Sequence, residues 1–447
     1  MENWFHLSER GTNVGTEIRA GVTTFLVMVY IVAVNPAIIA GPLGLDPVAV
    51  AAGTALVAGL MTLLMGLATN YPFALAAGLG INAVVAFGLV LGLGMTPASA
   101  MGVILIEGLI ITLLVLVGLR EAIMNAVPLG LKRAIGVGIG LFILFIGFWD
   151  GGMIVGQSPT PPPSVPPLAF VYPTTPAQFV FLAGLLLTFG LWALKVRGAL
   201  IISIALTTLL AIVTNVQQLP DTFTATPSFS TLGLGFQDIP GIFTIEAGVL
   251  AAVLAIFTIM LSDFFDTMGT VTGVAEEAGL AREDGSVPGV GRVLLVDGLA
   301  AAVGGAAGVS SNTTYIESAA GVGDGGRTGL TAVVTGLLFL VVIFLSPLVQ
   351  VIPLAATAPA LVLVGYLMFT QIGEIDARDI VIGLPALLII ILMPLTFTIY
   401  IGIGAGIVVW VILKVITRTA GDVHWVMWLV FLAYLLFFGQ TFIQQYI

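Results

Sequence analysis

The chain has no cysteine and only two histidines, His6 and His424, and 8% of its 447 residues carry charge. Without cysteine there are no disulfides, no thiolate metal sites and no cysteine nucleophile. Both histidines lie outside the central apolar runs, which removes imidazole as a proton carrier at mid-chain. A soluble domain carries roughly 25% charged residues, so the low charge excludes a hidden soluble domain, and a formal charge of −10 does not describe a nucleic-acid binder. No catalytic residue, metal or organic cofactor is expected. What fills the sequence instead is apolar: 59% hydrophobic residues and a mean hydropathy of +1.17. The lipid bilayer is its expected surrounding.

A spanning helix needs about 20 apolar residues. Candidates fall at 17–41, 46–69, 72–93, 96–118, 131–150, 176–196, 198–215, 246–272, 288–306, 309–321, 326–346, 354–373, 379–397 and 398–417, fourteen in all, and a further apolar run covers Val423 to Phe438. The first run is too long for a secretory signal and is expected to stay as an anchor. With the N-terminus in the cytoplasm, all thirteen basic residues, Arg120 among them, fall on the cytoplasmic side. The loops 151–175 and 216–245 contain no Lys or Arg and belong outside.

Two glycine-rich runs, 230 positions apart, interrupt this apolar sequence: Ala76-Ala77-Gly78-Leu79-Gly80-Ile81-Asn82 and Ala306-Ala307-Gly308-Val309-Ser310-Ser311-Asn312. Paired breaks in two halves of a membrane protein point to a transporter's binding site, because unwound backbone frees N–H and C=O groups for a ligand. Irregular backbone survives at that depth only when buried in protein or lining a cavity. Packing of small residues is the simpler reading of such glycines, but it requires neither the asparagines nor the matched placement.

Five carboxylates lie inside predicted spans: Glu107, Asp263, Asp266, Asp297 and Glu317. Each would cost about 2.5–3.5 kcal/mol at the centre of a lipid-facing helix, so they are expected to face protein or water, where such residues mark transport and proton pathways. Asp263, Asp266, Thr267 and Thr270 share one helix face. Phe264 and Phe265 lie off it, as core packing or as flanks for a planar ligand. Ser310 to Thr314 read as a loop or short strand leading into a half-helix whose positive end faces the membrane centre. Glu317 is expected about one turn into that half-helix, accepting two N–H bonds from a ligand edge; capping its own helix is the alternative. Gly321-Val322-Gly323-Asp324 matches the GxGD pattern of intramembrane aspartyl proteases, but no Tyr-Asp partner dipeptide occurs.

The segments FALAAGLGINAVVAF, SDFFDTMGTVTGVAEEAGL, SSNTTYIESAAGVGDGGRTGL and EIRAGVTTFLVMVYIVAVNP resemble the nucleobase:cation symporters of the nucleobase–ascorbate transporter superfamily, and within it the AzgA-like hypoxanthine/adenine/guanine permeases. The resemblance runs from about residue 4 to 420. It implies an all-α polytopic membrane protein of about fourteen segments in two inverted repeats of seven, with short strands and half-helices in segments 3 and 10. It implies a core domain of 17–118 and 246–346, a gate domain of 119–245 and 347–417, and leaves 418–447 as a hydrophobic tail. By position, the base-binding residues would be Asn82, Asp263 and Glu317, with Gly80, Ser311, Asn312 and Thr313 beside them. The proton-coupling set would be Asp263, Asp266, Asp297 and Glu317, while Glu107 is read as structural. Neutral planar bases suit such a site, since their fixed donors and acceptors can each be met in turn. The expected function is proton-coupled import of purine bases across the cell membrane, with Na+ left open as the coupling ion and a homodimer left open as the assembly. The NTTY wording of 312–315 resembles the uracil branch, so a uracil/xanthine permease is one alternative. A sulfate-type anion transporter of the same fold and a passive channel are the others.

Overall fold

The structure, a computed structural model, describes residues 2–118, 127–156, 168–219, 226–282, 287–396 and 399–446, with Asn3, Phe265 and 440–446 described by their backbone alone. Arg120 in the charge pattern, the side chain of Phe265, and parts of the two loops predicted to lie outside are therefore beyond the described residues. Among those described, nine helices are long and apolar enough to cross a membrane, and Leu79–Gly92, Ala199–Val213, Ile380–Thr396 and Trp425–Gly439 are shorter apolar helices.

Local chemistry explains where the helices start and stop. Pro47–Thr69 begins with Pro at its first position, where no intrahelical N–H is needed. Asp46 caps it through Val48 N at 3.0 Å, and it ends at Asn70 in the left-handed region, φ 58°. Pro97–Leu116 starts the same way behind Thr96, and Pro176–Ala193 behind a capping box of Thr175 and Gln178.

Long helices pack in pairs that a repeat exchange carries onto one another. Segment 2 (Pro47–Thr69) lies on segment 11 (Gly329–Val342), and segment 4 (Pro97–Leu116) lies on segment 9 (Val290–Ala306). Segment 5 (Leu129–Asp150) lies on segment 12 (Leu354–Phe369). Both of the first two seams rest on glycine: a Cβ on Gly108 would sit 2.2 Å from Ala302 N, and one on Gly329 2.0 Å from Gly66 O. Any side chain there would force the helices apart.

The same exchange appears in the hydrogen bonds. Asp238 accepts from Thr96 Oγ1 at 2.8 Å and Ser99 Oγ at 2.6 Å at the start of segment 4. Glu17 accepts from Thr328 Oγ1 at 2.8 Å and Thr331 Oγ1 at 2.6 Å at the start of segment 11. Both hydroxyl pairs are 232 residues apart in sequence. At segment 11 Glu17 also accepts from the Thr328 and Thr331 N–H groups at 3.2 Å, whereas at segment 4 the Ser99 N–H goes to Thr96 Oγ1 and Asp238 holds the two hydroxyls.

Three details go beyond the sequence reading. Segment 1, expected over 17–41, is one span, Val14–Leu43, with a local irregularity at Val29-Tyr30 between Val14–Met28 and Ile31–Leu43. The second half contains Pro36 and Pro42, which remove N–H donors from its ladder. Segment 3 continues past its break as a π-helix, Val84–Gly92. The run from 423 forms a helix, Trp425–Tyr446, that packs on Ile399–Ile416 and is tied to Gly248–Glu277 by Tyr434 Oη and Thr258 Oγ1 at 2.7 Å.

Candidate functional site

The two sequence breaks meet. Strand β1 (Leu75–Ala77) pairs antiparallel with β4 (Asn312–Thr314), placing Leu75 opposite Thr314, Ala76 opposite Thr313 and Ala77 opposite Asn312. The hairpin strands β2 (Ile154–Gly156) and β3 (Leu168–Phe170) lie elsewhere in the chain. Two further bonds extend the β1–β4 ladder, from Gly78 N to Ser311 O and from Tyr315 N to Ala74 O, both 2.9 Å. Pairing between the halves satisfies the backbone that each break releases, which is what lets it stay buried. Short helices leave both strands, Leu79–Ala83 and Ser318–Gly323.

Each strand is held by the helix before it. Thr62 both accepts from Leu75 N at 2.9 Å and donates to Leu75 O at 3.1 Å. Asp297 takes the corresponding role for β4, accepting from Thr314 N and Thr314 Oγ1 at 2.8 Å. Its other oxygen accepts from Thr267 Oγ1 at 2.6 Å, and Thr267 in turn pairs with Thr313 Oγ1 at 2.7 Å.

Helix Gly248–Glu277 brings the remaining acids to this sheet. Asp263 is fully buried and accepts from Ser311 Oγ at 2.9 Å through one oxygen, and its carboxyl also meets that of Glu107. Asp266, one turn on, is exposed together with Gly269 and Gly273, and a Cβ on either glycine would meet nothing within 4 Å. Phe264 is buried, which favours core packing for it.

Asn82 is fully buried with neither amide atom bonded among the described residues, and Asn312 is the same. Buried amides without partners each cost about 1–3 kcal/mol and so mark places where a ligand or water completes the bonding. Gly80 faces segment 5: a Cβ there would be 2.8 Å from Ile139 Cγ2. Glu107 is fully buried, and its carboxyl lies against that of Asp263, where one can donate to the other when it carries a proton.

Glu317 departs from its expected place. It is the residue just before Ser318–Gly323, not a turn inside it, because β4 and the Tyr315 bond to Ala74 keep the backbone extended as far as Tyr315, leaving Ile316 and Glu317 as the turn into the helix. Its side chain makes no capping bond. Instead it accepts from Tyr30 Oη at 2.8 Å. Tyr30 was not singled out from the sequence; the one signal was the Asn35-Pro36 pair just after it. A cavity of about 350 Å³ lined by Asp150, Gln178, Gln217 and Leu354 includes none of the predicted residues.

Outside the spans, Asp238 is held below the usual carboxylate range by the hydroxyls of Ser99 and Thr96 and by the Gly241 N–H.

Residues 15–405 match the Permease family. The chain belongs to that family. It is 38% identical over 448 residues to the guanine/hypoxanthine permease PbuG of Bacillus subtilis, covering 98% of this chain and 99% of that protein. Identity is again 38%, over 422 residues, to the adenine permease AdeP of Escherichia coli, covering 94% and 92%. Among solved structures, the transmembrane domain of the cyanobacterial bicarbonate transporter BicA superposes with a TM-score of 0.61 at 17% identity, covering 88% of this chain and 97% of that one. At that identity the likeness is one of fold: a helical, multi-pass membrane transporter.

Proposed function

We propose that the protein imports purine nucleobases, hypoxanthine, adenine and guanine, by proton symport through alternating access. The observation that carries the reading is the β1–β4 pair, two helix breaks joined across the halves with the Asn82 amide, unpartnered among the described residues, and the Asp263–Glu107 carboxyl pair next to it. Guanine/hypoxanthine and adenine permeases that align along nearly the whole chain supply the substrate class.

In this reading Asn82 and Glu317 meet the base, with Gly80, Ser311, Asn312 and Thr313 shaping the space around it. Asp297 keeps β4 in place, and Asp263 is the first candidate for the coupled proton, with Asp266 on the exposed stripe as its route to water. A buried carboxylate that gains and loses a proton gives closure around the base two different costs, which is the basis of coupling. Segments 1–4 and 8–11 form the substrate-binding core and segments 5–7 and 12–14 the gate, with fourteen crossings and the N-terminus in the cytoplasm. The packing of segment 5 on 12, apart from the 2–11 and 4–9 seams, supports that division.

An anion transporter is the second reading, favoured by the BicA likeness alone. Against it stand the acids Asp263, Asp266 and Glu317 around the sheet, where an anion would meet like charge.

The test is uptake of radiolabelled hypoxanthine into proteoliposomes under an inward proton gradient, in competition with adenine, guanine, xanthine, uracil and sulfate. Accumulation should vanish when the gradient is dissipated, and purines should compete where sulfate does not. Uptake that follows a sodium gradient alone would replace the coupling ion and keep the permease. Competition by uracil and not by adenine or guanine would move the substrate class.

A further inference from the structure

Two buried carboxylates show what a structural role looks like in this protein. Glu17 takes the N–H and hydroxyl groups of Thr328 and Thr331. Asp297 takes Thr314 N, Thr314 Oγ1 and Thr267 Oγ1. Glu107 is as fully buried as Glu17, yet no N–H or hydroxyl among the described residues donates to it. What its carboxyl meets is the carboxyl of Asp263.

Packing fixes that meeting. Segment 4 lies so close to segment 9 that a Cβ on Gly108, the residue after Glu107, would sit 2.2 Å from Ala302 N, and helix Gly248–Glu277 packs on segment 4 as well. Asp263 comes from that helix, and its bond from Ser311 Oγ at 2.9 Å joins the pair to the start of β4. The other charged groups that face the pair are Asp297 of segment 9 and Asp266 of segment 8. Both are acids, and neither can offset a negative charge.

An ionised carboxylate buried without a donor is strongly disfavoured, and two of them in contact more so. One proton removes both difficulties: the protonated carboxyl donates its O–H to the ionised one, and each group then has a partner. We infer that Glu107 and Asp263 act as one unit that holds a single shared proton, which makes Glu107 part of the coupling site and not a structural link. This rests on the reading above that base import is coupled to protons. Loss of the proton leaves two anions in contact with one hydroxyl, that of Ser311, to meet them, so the site closes around a base only while the proton is held.

Coupling between proton and base is reciprocal, so affinity for the base falls as pH rises past the point where the pair releases its proton. The experiment is equilibrium binding of radiolabelled hypoxanthine, as a function of pH, to purified wild type, Glu107→Gln, Asp263→Asn and the double variant, each checked for monodispersity in detergent. Ionisation of the base itself is common to all four and cancels in the comparison. Glu107→Gln keeps the shape and sets an amide donor against Asp263 in place of a like charge. Its midpoint for loss of binding should lie about one pH unit or more below that of wild type, about tenfold in proton affinity. Asp263→Asn should move the midpoint the same way and keep a pH-dependent limb, because Glu107 still titrates, and the double variant should lose the limb. Either single variant decides the matter if the other fails to fold. A midpoint unmoved in Glu107→Gln, or a limb abolished by Asp263→Asn alone, would mean that Asp263 holds the proton without Glu107 and would overturn the inference, as would a limb that persists in the double variant. Wild-type protein that binds hypoxanthine equally at every pH would instead remove the proton-coupled reading on which it rests.

Discussion

The two breaks that build the site share a backbone and differ in chemistry. The first arm, residues 75–83, is apolar except for Asn82, and its strand is held by a neutral hydroxyl, Thr62. The second, residues 310–323, is dense in hydroxyls and is held by a carboxylate, Asp297, which takes three bonds. The two arms share one geometry, and the charge stands on one side of it. The lesson is a division of labour: the first arm gives close approach and one amide, and the second gives charge and orientation. The same asymmetry recurs at the capping sites, where Glu17 is fully buried while Asp238 stands near the surface.

Breaking the strand clamps should give the largest effect. Asp297→Ala strands the Thr314 N–H and hydroxyl, each worth about 1–3 kcal/mol, and leaves the Thr267 hydroxyl with Thr313 alone, whereas Thr62→Val deprives one residue's N–H and C=O. Thermal unfolding in detergent should show the Asp297 variant well below the Thr62 variant, and equal losses would erase the contrast between the arms.

Recognition should separate the arms next. Glu317→Gln preserves shape but replaces an acceptor with a donor, and loss of a hydrogen bond to a charged group costs about 1.5–3 kcal/mol, about one to two decades in Kd. Asn82→Ala should instead redistribute the inhibition profile among purines while leaving the amount of folded protein close to wild type. Unaltered profiles in the Asn82 variant would confine recognition to the second arm. Asp263→Asn sharpens the split between binding and coupling: gradient-driven accumulation should fall while counterflow exchange persists in part, and normal accumulation would take Asp263 out of coupling.

The smallest effect belongs to Asp238. Its carboxyl lies lower in the folded protein than in the unfolded chain, so its stabilisation is complete above the unfolded value of about 3.9 and is lost as pH falls through the lower folded value. Melting curves recorded from pH 7 downward should therefore coincide in shape for wild type and Asp238→Asn until below about pH 4, where wild type alone loses this increment. A difference in slope at neutral pH would show that Asp238 does something besides cap segment 4.

Much of this architecture is legible in the sequence because it is local. Apolar run length marks the helices, and the Ala-Ala-Gly repeats mark both breaks. Five acids in apolar sequence announce buried polar work. The rest is set by contacts between distant residues. Nothing near Tyr30 says that its phenol ends on Glu317, and the strand that holds Glu317 outside its helix exists only because residues 75–77 lie beside it. Thr62 reads as one more hydroxyl in an apolar helix, and the capping roles of Glu17 and Asp238 depend on helices that start far away in sequence.

The account's central claim is that a purine base sits between the two arms, and the absence of native cysteine makes it directly measurable. Ile316→Cys places a lone thiol at the exposed position beside Glu317. The rate of its modification by a methanethiosulfonate reagent, measured with and without saturating hypoxanthine, is the decisive quantity. The account predicts that hypoxanthine slows the reaction and that sulfate does not. An unchanged rate in protein shown to bind hypoxanthine would place the base elsewhere and contradict it.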